Sequence, residues 1–181
     1  MSNVQIPAGT WTIDPSHSEV AFSVRHVMVS KVKGNFERFE GTITIAEDPL
    51  ESSVTAEVDL DSINTRDPQR DGHLRSADFF EVENHPKLVF RSTSVTPSGS
   101  DFKVLGDLTV KGVTKGVELD LEFNGVHPDP WGGTRAGFSA ETEISRKEFN
   151  VDFDIPMDGG GVVVGDKIKV LLEVEAVLQA A

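Results

Sequence analysis

The sequence predicts an all-β protein of eight antiparallel strands, as a closed barrel or a two-sheet sandwich, with one short helix. Eight segments alternate apolar and polar residues with period two, and short turns rich in Gly and Pro join several of them. The aromatic complement is Phe 11, Trp 2 and Tyr 0. Alternation places one strand face against apolar surroundings and the other in water. Phenylalanine supplies large rings with no polar tip to satisfy, which suits a dry interior.

A short piece at Trp11 to Ile13 precedes the first long strand, Ser18 to Ser30. There Val20, Phe22, Val24, His26 and Met28 share one face, and Glu19, Ser23 and Arg25 take the other. The next strand, Gly34 to Ala46, carries Phe36 and then changes phase at Arg38 to give Phe39, Gly41, Ile43 and Ile45, which predicts a β-bulge. Ser53 to Ile63 sets Val54, Ala56, Val58 and Leu60 against Thr55, Glu57, Asp59 and Asp61. Lys87 to Thr96, Phe102 to Lys111, Val117 to Phe123, Ala136 to Ile144 and Ile168 to Ala176 repeat the habit. Thr96 to Gly99 and Lys111 to Gly116 read as tight turns between antiparallel neighbours. Two stretches break the pattern. Arg66 to His85, with Pro68, predicts a short helix and loop, and Arg146 to Gly165, with Pro156 and Gly159 to Gly161, predicts a mobile loop.

The chain of 181 residues suits a single domain, 1–181, and its composition (38% hydrophobic, 26% charged) is globular. Lys+Arg 17 against Asp+Glu 30 leaves a net charge of −13, which argues against nucleic acid and against polybasic docking on anionic lipid. The absence of cysteine excludes disulfides, Cys-ligated metals and thiol nucleophiles. The start, MSNVQIPAGTW, lacks the pattern of a signal peptide, and no stretch approaches the ~20 apolar residues of an integral membrane segment. The expected location is the cytoplasm.

Catalytic signatures are missing: there is no G-x-S-x-G elbow, P-loop or H-E-x-x-H, and DGGGVVVG lacks dinucleotide spacing. His17, His26, His73, His85 and His127 never fall at metal-ligand spacing, so neither metal nor cofactor is expected. Glu57, Asp59 and Asp61 form a water-facing acidic ladder, solvated rather than calcium-binding. His26 continues an apolar face, either as a hydrogen-bonded core residue or as a contact for a ligand head group. Asp14 and His17 with Ser18 read as a polar latch ordering the N-terminal turn. Arg66, Arg70, Asp71, His73, Arg75 and Asp78 beside Phe79 and Phe80 read as a cap: Asp–Arg pairs pin a helix across one end while the rings plug it.

Four segments carry a resemblance: TWTIDPSHSEVAFSVRH from Thr10, LDSINTRDPQRDGHLRSADFFEVENHPKLVF from Leu60, LGDLTVKGVTKGVEL from Leu105 and RAGFSAETEISRKEFNV from Arg135. In this order, and over nearly the whole chain, the sequence resembles the YceI-like family of lipid-binding β-barrels. The resemblance implies an elongated, lipocalin-like eight-stranded antiparallel barrel with a short helix and loop cap. It also implies a lumen that holds a polyisoprenoid, an isoprenoid quinone or another long-chain lipid. The family often has glycine near Asn150, so a different local turn is expected here.

The expected function is non-catalytic binding, transport or storage of such an amphiphile. Each methylene removed from water contributes ~0.8 kcal/mol, so a long chain binds well without special chemistry. The candidate lining begins with Phe22, Val24 and His26, then Phe36 and Phe39, then Val58 and Leu60. It continues through Phe90, Phe102, Leu108, Leu121 and Phe138, with Phe149 and Phe153 at the lip of an entrance loop. The alternatives are an enzyme acting on an isoprenoid lipid, with His26 or His17 as general base, and a stress-related barrel with a filled core. The sequence leaves a monomer or a homodimer open.

Overall fold

The computed structural model describes residues 5–27, 29–154 and 163–180. Its strands are β1 (Gly9–Ile13), β2 (Glu19–His26), β3 (Ser30–Phe36), β4 (Phe39–Ile45), β5 (Ser53–Asp59) and β6 (Ile63–Asn64), then β7 (Lys87–Ser98), β8 (Asp101–Val110), β9 (Val113–Pro128), β10 (Thr134–Ser145) and β11 (Val164–Leu178). The helix α1 (Pro68–Arg75) lies between β6 and β7. Met28, Pro156 and Gly159 to Gly161, which the sequence placed in a strand and a mobile loop, lie outside the described residues.

The eleven strands form eight staves, because three pairs are halves of one interrupted strand. β1 and β2 both pair with β11, β1 and β5 pair with β4, and β2 and β6 pair with β3. Every stave is antiparallel to its sequence neighbours, and β11 returns to β1 and β2. The result is a closed up-and-down barrel, not a sandwich, and closure removes nearly all free edges. The N-terminal piece at Trp11 is therefore half of the first stave rather than a leader to it.

The interruptions follow from local chemistry. Asp14 accepts from the Ser16 backbone N–H at 3.0 Å and Pro15 brings no N–H, so the chain makes one 3-10 turn, Pro15–His17, between β1 and β2. Asp59 plays the same part for the turn Leu60–Ser62 between β5 and β6. At Arg38 the expected bulge is instead a full break: the N–H of Glu37 donates to the Ser62 carbonyl (3.1 Å) and that of Arg38 to Ser62 Oγ (2.9 Å). The stave thus trades β6 for β5 as its neighbour. True register shifts occur elsewhere, at Gly137/Phe138, Ser92/Ser94 and Val164/Ile168.

One barrel end carries the β9–β10 turn and the Asp14 corner, and is called here the latch end. The other carries α1, the β2–β3 turn and the chain that follows β10, and is called the cap end. At the latch end Trp11, Ile45, Ala136, Phe138 and Ala176 pack together, with Trp11 fully buried. At the cap end Phe79, Phe90, Val104, Leu108, Val110, Phe149 and Val151 form one cluster. A second joins Phe36, Val58, Leu60 and Ile63. The helix starts at Asp67, which accepts from the N–H groups of Gln69 and Arg70, and Pro68 follows at its first turn.

Candidate functional site: an apolar cavity along the barrel

Inward side chains from every stave leave a cavity of about 380 Å³, within the range of small-molecule sites. At ~30 Å³ per molecule of liquid water this is room for about a dozen waters, far more than a packing defect. The described side chains therefore leave the core unfilled. The cavity extends from Ile13, Ile45 and Phe138 at the latch end to Val164, Phe79 and Phe80 at the cap end.

Of the expected lining, Phe22, Val24, His26, Phe36, Phe39, Val58, Phe90, Phe102, Leu108, Leu121, Phe138 and Phe149 face the cavity. Leu60 does not. It begins a 3-10 turn, is fully buried and packs with Phe36, Val58 and Ile63 behind the wall. Phe153 also lies off the lining, edge-on to Phe79 (ring centroids 5.3 Å) and His73 (5.2 Å). Phe149 lines the wall from a buried position rather than an open lip.

The cap contributes wall residues that the alternation did not reveal: Leu74, Phe79, Phe80, Thr65 and Arg70. Phe79 and Phe80 are the rings expected to plug this end, whereas Thr65, Arg70 and Leu74 had only the local charge density as a signal. The expected Asp–Arg pins are mostly arginine to backbone carbonyl. Arg70 Nε donates to Thr65 Oγ1 (2.8 Å) and its Nη2 to the Thr65 carbonyl (2.7 Å), while Arg75 Nε donates to the Asp61 carbonyl (2.9 Å). Buried Asp71 accepts from the Thr65 N–H (3.0 Å) and hydroxyl. His26 lines the cavity, and among the described residues its imidazole has no hydrogen-bond partner. The acidic ladder is also more engaged than expected, since Arg38 Nε donates to Asp59 at 3.0 Å.

Two arginines organise the ends. Arg135, half-buried in β10 at the latch end, donates through Nη1 to Asp14 and Glu175 (2.8 Å each) and through Nε to Asp129 (2.7 Å). Hydrogen bonds from Ser16, Arg135 and His17 hold the Asp14 carboxyl well below its ordinary value of 3.8. Ser18 completes the latch across β11, its hydroxyl accepting from the Glu175 N–H at 3.0 Å. Asp14, His17 and Glu175 offer ligand atoms within 4.8 Å of one another, a grouping that sequence spacing did not show. The Arg135 guanidinium between the two carboxylates already donates to both. Arg146, buried just beyond β10, donates to the carbonyls of Gly165, Val151, Phe153 and Val164 and to Asp154. Lys147 and Arg146 together keep the Asp154 pKa below its ordinary value.

The comparisons agree with this geometry. A Protein YceI of Escherichia coli is 43% identical over 140 residues, which cover 77% of this chain and 73% of that protein. The crystal structure of BcnA from Burkholderia cenocepacia superposes with a TM-score of 0.79 at 19% identity, over 90% of this chain and 98% of that one. A polyisoprenoid binding domain from Saccharophagus degradans, implicated in plant cell wall breakdown, has a TM-score of 0.73 at 15% identity, covering 93% and 98%. The YceI-like domain matches residues 11–176, from within β1 to within β11, and the chain belongs to that family.

Proposed function

We propose that this protein is a non-catalytic carrier or store for a long-chain amphiphile, a polyisoprenoid or isoprenoid quinone, acting as one domain over 1–181. The observation that carries the reading is the cavity of about 380 Å³, walled by Phe, Val, Leu and Ile along the barrel axis. The relative from Saccharophagus degradans, described as polyisoprenoid binding, supports the same class. The tail would take the apolar length, and His26 and Arg70 at the cap end would face the polar head.

A catalytic reading is weaker. Ser16 Oγ, His17 Nδ1 and Asp14 lie within hydrogen-bond reach, but one nitrogen, Nδ1, faces both partners at 3.1 and 2.9 Å. The serine hydroxyl already donates to Asp14 at 2.7 Å, so nothing is arranged to take its proton on attack. Native mass spectrometry with organic extraction of the purified protein tests the reading. It predicts a co-purifying lipid, and affinity that falls about tenfold for every two buried carbons removed. Equal affinity for short and long chains bearing one head group would overturn it.

A further inference from the structure

The net charge of −13 is not evenly spread. From Val20 to Phe36 the sequence has no Asp or Glu, and its charges are Arg25, Lys31 and Lys33. The fold turns this stretch into the β2–β3 hairpin at the cap end, with all three side chains exposed on its outer face. Arg25 stands directly across from Lys31 in the ladder, and Lys33 across from Ser23. Like charges directly opposite on a sheet are destabilising, and among the described residues none of the three has a carboxylate partner.

The turn is equally unusual. Hairpin turns favour Asn, Asp and Gly, and here the sequence supplies Val27, Met28 and Val29. Val27 has φ 45°, a left-handed conformation that a β-branched residue rarely accepts, and Val29 is 82% exposed. The β3 edge is unpaired over Ser30–Gly34 among the described residues, and lysines there discourage strand pairing. That accounts for Lys31 and Lys33, but not for Val27 at positive φ or for the exposed Val29. The inner face of the same hairpin, Val24, His26 and Val32, lines the cavity.

We propose that the β2–β3 hairpin docks the barrel on an anionic membrane surface, with Val29 in the head-group layer and Arg25, Lys31 and Lys33 on lipid phosphates. An anion beside Arg25 and Lys31 relieves their repulsion, and the docked hairpin sets the cavity against the bilayer. The cap end has exposed carboxylates of its own, Asp78 and Glu83 after α1 and Glu148 and Asp152 after β10, but none lies on the hairpin; Glu47, Asp48 and Glu51 between β4 and β5 and Asp101 at the start of β8 stand at the opposite end. These last four are ~30 Å away along the strands, several Debye lengths at physiological salt, so they do not oppose contact at the hairpin. The latch end has its own exposed ring, Trp131 (90% exposed), but Asp129 beside it and the nearby acids oppose an anionic surface. This docking surface stands apart from the cargo reading, since vesicle binding is read without cargo.

The test is co-sedimentation of the full chain with vesicles of phosphatidylcholine alone and of equal phosphatidylcholine and phosphatidylglycerol. Binding to the mixed vesicles only, released by salt, is expected. Lys31→Gln and Lys33→Gln should each weaken it about fivefold, and Val29→Ser should also weaken it, while Trp131→Ser leaves it unchanged. Melting temperatures near wild type would show that these exposed variants fold. Equal binding to both vesicles, no binding to either, or loss confined to Trp131→Ser would overturn the proposal. Extraction of lipid from the same variants reads the cargo separately, so an empty barrel that still docks counts against the carrier reading alone.

Discussion

Arg135 and Arg146 stand at opposite ends of β10 and hold the barrel in different ways. Arg135 sits among three carboxylates, Asp14, Asp129 and Glu175, with 28% of its side chain exposed. Arg146 is 5% exposed and spends most of its donors on four backbone carbonyls, with Asp154 as its one carboxylate partner among the described residues. The first arrangement joins β1, β10 and β11 through charges that water can partly replace. The second pins the chain after β10 to the start of β11 through a guanidinium that is itself almost wholly removed from water. The two networks therefore carry different energies, because the cost of losing a partner depends on what is left behind.

The largest effect should come from Arg146→Met. It strands buried carbonyls and the Asp154 carboxylate, and removal of one partner from a buried charged network costs about 3–5 kcal/mol. Urea unfolding should show the midpoint falling by most of the fold's stability. Arg146→Lys should recover little, since an ammonium lacks the five-donor fork. A midpoint within experimental error of wild type would mean that the network adds nothing beyond the apolar cluster of Phe149 and Val151.

Arg135→Met should cost less and should show a pH signature. Asp14 and Asp129 are held below their ordinary value of 3.8, Asp14 by Ser16, Arg135 and His17, and Asp129 by the Trp131 N–H and Arg135. A carboxyl whose pKa is depressed on folding contributes stability above its unfolded pKa and loses it as pH falls through the folded one. The difference in unfolding free energy between wild type and Arg135→Met should be constant from neutral pH to about 4–5, then close on further acidification. A difference that stays flat down to the acid transition would remove Arg135 as the cause of the depression.

The same contrast explains what was legible in sequence. β8 was plain because Phe102, Val104, Gly106, Leu108 and Val110 alternate without interruption and all end up buried. Leu60 was misplaced because the Asp59 carboxylate caps a 3-10 turn there, and a strand pattern cannot anticipate the loss of phase. Phe153 was misplaced because its segment has left the sheet, so alternation no longer reports direction. Glu175 was visibly outward-facing, but its place beside Asp14 depends on β11 closing onto β1, which no local pattern contains. The cavity has the same origin. Alternation gives each stave an inner face, and only closure over eight staves decides how much space those faces leave.

The smallest effect tests whether the turn itself or its arginine holds the chain after β10. Asn150 adopts φ 60° and ψ 17° at the end of the 3-10 turn Arg146–Phe149, and its N–H donates to the Lys147 carbonyl at 3.3 Å. This is the left-handed conformation that glycine takes without strain. Asparagine tolerates that region better than other residues with a Cβ, so Asn150→Gly relieves little strain. It also makes the unfolded chain freer, which opposes the gain, and the net change should lie within about 0.5 kcal/mol of zero. Asn150→Val, β-branched at positive φ, should lose about 1–2 kcal/mol through the backbone alone. Urea midpoints of the two variants beside Arg146→Met give the order directly. If Asn150→Gly lost as much as Arg146→Met, the asparagine side chain would be the anchor and the arginine network secondary.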